Sequence, residues 1–308
     1  MLTRDNGLNQ SNAMSRNGTL DYARLIAAFG IVFFHAHAPG AAIGYAALPF
    51  FLILLVVMSV PAARRMPFGP FAGGRAQRLL TPWLIWSGIY GALKLTEIVA
   101  TGASFASEFA PYMMLTGPAL HLWFLPFALV VCVVAYPAVR RASWPLSVAL
   151  TATGLTFMLV QQGLTLPIPF AQWLYGMPAV CLGLALAIGK ERIVQQVLLL
   201  CGFVTGALIM GATGGLAQLS MAAVAFILCC ALPLHSTATS RLAGAAALDV
   251  YLAHPLVLSV LERTTTIVPN SLTMALLGCG GALMISLSII RCKNVHRNVR
   301  LRRLGRSS

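Results

Sequence analysis

The sequence predicts an all-α polytopic membrane protein with about ten transmembrane helices and both termini in the cytoplasm. Of its 308 residues, 58% are hydrophobic and only 9% are charged, whereas about a quarter of the residues of an ordinary soluble domain are charged. The hydrophobic residues form runs that are long enough to cross a bilayer, which takes about 20 residues in a helix. The basic residues, in turn, are concentrated in alternate connections between those runs.

The hydrophobic runs follow one another through short connections, with no recognisable repeat and no long linker. Glycine and proline are frequent within them, as is typical of packed membrane helices. We therefore predict one membrane domain over residues 19–291. Its predicted spans are 20–38, 43–61, 75–99, 120–139, 145–162, 171–189, 193–210, 216–233, 242–261 and 272–290.

The positions of Lys and Arg predict the orientation of these spans. Both termini and the connections after spans two, four, six and eight carry basic residues, whereas the connections after spans one, three, five and seven carry none. Cytoplasmic loops are the ones enriched in Lys and Arg. Ten spans with this alternation place both termini in the cytoplasm, and only Lys94 and Arg263 depart from the pattern.

The two ends of the chain differ from the domain between them. Residues 1–18 are polar and predicted to be a disordered cytoplasmic N-terminus, and residues 292–308 are predicted to be a basic cytoplasmic tail. The first hydrophobic run contains ionisable residues and follows a polar segment, so we do not interpret it as a cleavable signal peptide.

The formal net charge of +14 is compatible with two kinds of anionic partner, nucleic acid and anionic lipid. The basic residues lie in short loops and in the tail, not on an amphipathic face with interleaved aromatic residues. This favours contact with the lipid bilayer, including anionic lipid, over nucleic-acid binding.

The seven cysteines show no Cys-x-x-Cys spacing and lie mostly in hydrophobic runs, so we predict neither a disulfide framework nor a metal site.

Span one contains an acidic residue, an arginine and two histidines. Such groups are costly inside a membrane and usually face a protein interior or a water-filled cavity. Arg24 and His35, eleven residues apart, lie within roughly 20° of each other on a helix and about 16 Å apart along its axis. Asp21 is spaced to pair with Arg24. Alternatively, Arg24 reaches the interface and Asp21 is an N-terminal helix charge. His37 faces another direction and is secondary.

Span three opens on Arg75 and Arg78, which share one helix face at the predicted cytoplasmic boundary. Arg side chains match phosphate groups with paired hydrogen bonds, so the pair is a candidate anion clamp. The alternative is that both residues only anchor the topology.

Two further histidines lie in later spans. His121 opens span four beside Trp123, and His254 lies about two thirds of the way across span nine. With His35, they place three histidines at a similar depth in the outer half, although periodicity does not show that they converge. Asp249 also lies in span nine and needs a partner, for which we expect Arg24 or a histidine.

Taken together and in this order, the motifs resemble the integral-membrane acyltransferase 3 family over roughly residues 20–290. The resemblance is carried by four motifs, which are Asp21-Tyr-Ala-Arg24 followed by His35, Arg75-x-x-Arg78, His121-Leu-Trp-Phe-Leu, and Tyr-Leu-Ala-His254-Pro. It implies transfer of an acyl group, most often acetyl, from cytoplasmic acyl-CoA to a sugar hydroxyl of an exopolysaccharide or other envelope glycan. It also implies a multi-pass protein of the bacterial inner membrane with ten helices.

The resemblance implies roles for the residues singled out above. His35 is expected to act as general base, or as a transient acyl carrier, with Arg24 and Asp21 as its catalytic partners. The expected substrate-binding residues are Arg75 and Arg78 for the CoA phosphates, together with His121, Trp123 and His254. Acyl-CoA is the expected co-substrate, a glycan or lipid-linked sugar the acceptor, and no metal is expected. Asp249 departs from the small or uncharged residue expected there.

Two other functions fit the same residues. A transporter or flippase for a glycan or a lipid-linked intermediate also uses intramembrane Arg and His residues, although no inverted repeat is evident. A non-catalytic scaffold of a polysaccharide-assembly complex predicts loss of the exported glycan itself, not only of its acyl groups, when the protein is deleted.

Overall fold

The computed structural model describes residues 17–188 and 193–304, and in these residues the fold consists of helices joined by turns and short loops. A 3-10 turn, Leu120–Trp123, precedes α7. The α-helices are α1 Gly18–His35, α2 Ala41–Gly44, α3 Ala47–Arg65, α4 Phe68–Thr101, α5 Phe105–Glu108, α6 Met113–Thr116, α7 Phe124–Arg140, α8 Trp144–Gly163, α9 Phe170–Ile188, α10 Ile193–Ile209, α11 Leu216–Ala231, α12 Ala238–Thr264 and α13 Leu272–Leu304.

Every predicted span coincides with one of the longer helices, which confirms the all-α fold class. By length and hydropathy, six segments of the described chain qualify as membrane spans, so the chain is a multi-pass membrane protein. Polar residues lower the hydropathy of α1 and α4, and α10 and α11 are apolar but shorter. The six segments are Ala41–Arg65, Leu120–Arg140, Trp144–Gly163, Phe170–Ile188, Ala238–Thr264 and Leu272–Val295.

The centre of the bundle is formed by α1, α3, α9 and α12. Helix α1 packs mainly against α12, and α3 packs against α9. Gly183 of α9 permits the second contact, because a Cβ there would lie 2.9 Å from the Ile53 Cα and 2.7 Å from the Val56 Cγ2. Small residues at such crossings let membrane helices approach closely. In the most hydrophobic 18 residues of each helix, only 22% are buried in the outer helix α8, against 61% in α9 and in α12. Much of α8 therefore faces lipid.

The start of α1 is fixed to the segment that joins α11 and α12. The Asn17 side chain caps α1 by accepting from the Thr19 N–H at 2.9 Å, and its amide donates to the Cys229 carbonyl at 2.8 Å. The Thr19 hydroxyl donates to the Leu232 carbonyl at 2.6 Å and accepts from the Leu234 N–H at 2.9 Å. Satisfying the free N–H groups of a first turn in this way stabilises the helix end.

These contacts bear on the predicted N-terminal segment 1–18. Helix α1 begins at Gly18 with Asn17 as its cap, so the last two residues of that segment belong to the fold, and residues 1–16 lie outside the described residues. At the other end, α13 continues past the predicted end of span ten at residue 290 as far as Leu304. The described part of the basic tail is therefore helical.

Helix α4 begins earlier than predicted. The helix begins at Phe68, directly after Pro67 and seven residues before the predicted start of span three at residue 75. Proline disfavours helical backbone at the residue before it, and Met66 is extended there, so α3 ends and α4 begins on the two sides of this point. Arg75 and Arg78 consequently lie inside the helix, on its second and third turns, and not at its start.

The two basic residues that break the predicted alternation both have acidic partners. The Lys94 Nζ lies 2.9 Å from the Glu108 Oε2, and the Arg263 guanidinium lies 3.2 Å from the Glu97 Oε1. Each of these two cations is thus paired with a carboxylate.

Candidate functional site

Three histidines from distant parts of the chain meet in the bundle. His35 ends α1, His121 lies on the 3-10 turn before α7, and His254 lies in α12. The ring centroids of His35 and His254 are 4.9 Å apart, and those of His121 and His254 are 5.4 Å apart. The structure therefore brings together the three histidines whose convergence the sequence left open.

The local sequence of α12 explains how His254 is held. In a helix, the N–H of residue 255 would donate to the carbonyl of Tyr251, but Pro255 has no N–H. The freed carbonyl is taken by the His254 ring, whose Nδ1 lies 2.6 Å from the Tyr251 oxygen. The His254 Nε2 is buried and has no hydrogen-bond partner among the described residues.

A second set of hydrogen bonds joins the 3-10 turn to α12. The Tyr251 hydroxyl donates to the His121 carbonyl at 2.5 Å, and the His121 Nε2 lies 3.3 Å from the Leu252 carbonyl. That same carbonyl accepts from the Tyr90 hydroxyl of α4 at 2.8 Å. His121 is thus fixed from two sides, and buried hydrogen bonds of this kind rigidify a site.

His35 is the accessible member of the cluster. It lines a cavity of about 390 Å³, which we call the histidine cavity. Aromatic rings dominate the wall of this cavity, which also includes the polar side chains of His121 and Gln172. The aromatic residues are Phe34, Tyr45, Trp123, Tyr175 and Tyr251.

Arginines line a second cavity, of about 340 Å³, which we call the arginine cavity. Arg24 comes from α1, and Arg75 and Arg78 come from α4. Arg24 lies 3.8 Å from the Asp21 carboxylate, and Arg75 donates to the Met58 carbonyl at 3.3 Å. Three guanidinium groups beside one carboxylate leave this cavity positive, which favours an anionic ligand.

Tyr251 lines both cavities. Two further rings surround it on the arginine side, since Phe124 and Phe51 also line that cavity. The Tyr251 ring centroid lies 5.6 Å from that of Phe124 and 6.3 Å from that of Phe51. This aromatic group forms the wall at which the histidine cavity and the arginine cavity approach each other.

Comparison with known families decides the general chemistry. The model of the acyltransferase 3 family, described as an acyltransferase domain, matches residues 17–291. The chain belongs to the acyltransferase 3 family. It is thus a membrane acyltransferase in the general sense. Searches of curated proteins and of solved structures give no match.

The predicted site residues of the acyltransferase lie in three different places. Arg24, Arg75 and Arg78 share the arginine cavity. The residues His35, His121 and Trp123 share the histidine cavity. Asp21 and His254 are placed behind these walls, with 4% and 0% of their surfaces exposed, and neither is a lining residue of the two cavities in the described part of the chain.

Asp21 packs directly against Gly244 of α12, where α1 and α12 approach closely. Its carboxylate lies beside Arg24, which confirms the predicted pairing on the helix. His37, the residue treated as secondary, is exposed beyond the end of α1 and has a positive φ of 49°.

The prediction that Asp249 pairs with Arg24 or a histidine is wrong. The Asp249 carboxylate pairs with the Lys293 Nζ at 3.5 Å, not with Arg24 or a histidine. The reason is the extension of α13, which packs along α12 and carries Lys293 past the predicted end of span ten. The pair joins the two last helices of the acyltransferase and lies apart from the histidines.

Sequence reasoning missed several aromatic residues of the site. Tyr251 precedes His254 by three residues and therefore shares its helix face, which is a signal that the sequence did contain. Tyr45 and Tyr175, whose ring centroids lie 5.5 Å apart, come from distant parts of the chain. No local pattern indicates that they meet.

Proposed function

We propose that the protein transfers an acyl group, most simply acetyl, from acyl-CoA to a sugar hydroxyl of an exopolysaccharide or another envelope glycan. The observation that carries this proposal is the pair of cavities that share Tyr251. One is lined by three arginines and suits an anionic donor, and the other contains an accessible histidine and suits the acceptor.

The arginine cavity is the proposed donor site. CoA carries several phosphate groups, and Arg75 and Arg78 present guanidinium groups one helical turn apart, which suits phosphate oxygens. Arg24 faces the same cavity from α1. Its charge is available to orient the donor and to stabilise negative charge as the thioester reacts. Asp21, buried beside Arg24, is proposed to hold that guanidinium in place.

His35 is the proposed general base. It takes the proton of the acceptor hydroxyl while the oxygen attacks the thioester carbonyl, so that an O–H bond breaks and a C–O bond forms. Collapse of the tetrahedral intermediate breaks the C–S bond, and His35 returns the proton to the departing CoA thiolate. The products are the acyl ester and CoA.

The histidine cavity is the proposed acceptor site. Sugar rings have apolar C–H faces, which pack on aromatic rings, and hydroxyl edges, which need polar partners. Tyr45, Tyr175 and Trp123 supply the rings. The side-chain oxygen of Gln172 is buried without a partner among the described residues, so it is available to accept a hydrogen bond from a sugar hydroxyl. A glycan and a lipid-linked sugar both present these features.

The proposed topology has ten spans, with both termini in the cytoplasm of a bacterial inner membrane. It places the arginine cavity toward the cytoplasm, where acyl-CoA is made, and the histidine cavity toward the opposite face. Arg24 lies in the second turn of α1 and His35 ends the helix, which places them about 16 Å apart along its axis. Donor and acceptor thus approach Tyr251 from opposite sides of the membrane.

The test is label transfer by the purified full-length protein in lipid nanodiscs. The donor is [14C]acetyl-CoA, and the acceptor is envelope glycan of the source cell that alkali has stripped of its esters. We expect labelled glycan from the wild type, none from His35→Ala, and wild-type labelling from His37→Ala. His37 is a matched control because it lies just past α1, outside both cavities.

The donor site has its own matched pair of variants. Arg75→Ala with Arg78→Ala is expected to weaken acetyl-CoA binding at least tenfold, because two charge-assisted contacts are lost. Arg64→Ala with Arg65→Ala removes two exposed arginines from the end of α3 and is expected to leave binding unchanged. Movement of a lipid-linked sugar without transfer of label supports a flippase instead, and equal binding by both double variants contradicts the donor site.

A further inference from the structure

We propose that His254 is a positioning residue, whose Nε2 accepts a hydrogen bond from one ring nitrogen of His35 and thereby aims the other nitrogen at the acceptor. The inference rests on the proposed role of His35 as general base. It replaces the expectation that His254 binds substrate, since His254 has 0% of its surface exposed and lies behind the cavity wall.

The contacts of the His254 ring determine which of its nitrogens carries the proton. Its Nδ1 lies 2.6 Å from the Tyr251 carbonyl oxygen. A carbonyl oxygen only accepts hydrogen bonds, so Nδ1 carries the proton, and Nε2 of the neutral ring carries a lone pair. Pro255 makes this arrangement permanent, because it removes the backbone N–H that would otherwise occupy the Tyr251 carbonyl.

The lone pair on the His254 Nε2 has no hydrogen-bond donor among the described residues. The Nε2 is also buried. Burying an acceptor without a partner costs free energy, and most such groups in proteins are satisfied. The position of this acceptor in the middle of a histidine cluster indicates a partner that forms during the reaction.

The donor to this lone pair is a neighbouring ring. Among the described residues, the aromatic rings paired with the His254 ring within 6 Å are those of His35, His121 and Tyr251. His121 uses its Nε2 proton toward the Leu252 carbonyl, so its Nδ1 is an acceptor, and the Tyr251 hydroxyl donates to the His121 carbonyl. His35 remains. Its ring centroid is also the nearest of the three, at 4.9 Å.

The chemical consequence is an oriented base. When His35 takes the hydroxyl proton, it becomes an imidazolium ion with two N–H groups. One faces the reacting atoms, and the other donates to the His254 Nε2, which stabilises the charge without itself taking a proton. A base whose second nitrogen is held by a further acceptor is the arrangement that general-base catalysis repeatedly uses.

The experiment compares two amides at position 254 in the full-length protein in nanodiscs. His254→Asn keeps a donor near the Nδ1 position for the Tyr251 carbonyl but has no acceptor at the Nε2 position. His254→Gln reaches farther and presents its carbonyl oxygen near the Nε2 position. The readouts are kcat and the KM for [14C]acetyl-CoA and for the ester-stripped glycan, together with the thermal unfolding midpoint.

We expect His254→Asn to lower kcat by roughly 10–100-fold, as loss of an orienting partner commonly does, with both KM values and the unfolding midpoint close to wild type. His254→Gln is expected to recover most of the lost kcat. Wild-type kcat in His254→Asn, or equal losses in both variants, overturns the inference. A rise in either KM at constant kcat also overturns it, in favour of substrate binding. Failure of the proposed function is distinct, since then the wild type itself transfers no label.

Discussion

Replacing Gly244 by alanine tests how α1 is held against α12. A Cβ built at this position lies 2.8 Å from the Asp21 Cγ and 3.0 Å from the Asp21 Cβ, and it also overlaps the carboxylate oxygen Oδ1. Rotation of the Asp21 side chain does not relieve the contact with its Cβ, so the two helices must separate or Asp21 must shift. Since Asp21 holds Arg24, the disturbance reaches the arginine cavity.

The magnitude follows from two opposing contributions. An extra methyl group in a packed interior costs about 1–3 kcal/mol, and the close Asp21 Cβ places this case near the upper end. Alanine in a helix is favoured over glycine by roughly 0.5–1 kcal/mol. The net loss is therefore about 2 kcal/mol, which lowers the unfolding midpoint by roughly 4–8 °C at about 2–4 °C per kcal/mol.

The assay is thermal unfolding of the purified protein in detergent, followed by acetyl-CoA binding. Gly88→Ala is the matched control, because nothing lies within 4 Å of a Cβ there, and we expect it to be neutral or slightly stabilising. Adding Asp21→Ala to Gly244→Ala removes the overlapping carboxylate but keeps the Cβ contact, so it is expected to restore only part of the midpoint and not acetyl-CoA binding. Equal midpoints for Gly244→Ala and Gly88→Ala refute the reasoning.

Three further predictions concern single residues. Tyr251→Ala opens the wall between the two cavities, so we expect acetyl-CoA hydrolysis without acceptor to rise relative to transfer, measured as free thiol released; an unchanged ratio contradicts the wall. Lys293→Ala removes the cation that pairs with the Asp249 carboxylate, and it is expected to lower the unfolding midpoint in a way that added Asp249→Asn reverses; additive losses would mean that the pair is not coupled. Pro255→Ala restores a backbone N–H that competes with the His254 ring, so kcat is expected to fall while thermal stability holds or rises; retention of kcat shows that the proline is dispensable.

The helices could be predicted from the sequence because their cause is local. Runs of hydrophobic side chains define them, and Arg24 and Asp21 pair within one turn, so periodicity suffices. Helix α4 extends beyond the predicted span because the prediction counted hydrophobic residues, whereas the break at Met66 and Pro67 decides where the helix begins. The aromatic wall around Tyr251 depends on contacts between α3, α7 and α12, and no periodicity within one helix reports such contacts.

The candidate site shows the same division. The individual histidines were identified from their cost inside a membrane, yet their meeting depends on how α1, α12 and the 3-10 turn pack. The partner of Asp249 was mispredicted because α13 was taken to end before Lys293. In contrast, the free carbonyl of Tyr251 could have been predicted from the sequence, since it follows from the missing N–H of Pro255 alone.

The pairing of α1 with α12 has a consequence for biosynthesis. More than two hundred residues separate His35 from His254, and at about 5–20 residues per second the ribosome needs roughly 10–40 s to make them. During that time α1 is already in the membrane with three ionisable side chains and without the helix that will cover them. The Asp21–Arg24 pair, formed within a single turn, is a compensation that the nascent helix contains by itself. A truncated chain that stops before α12 therefore has an inserted first helix but no assembled histidine cluster.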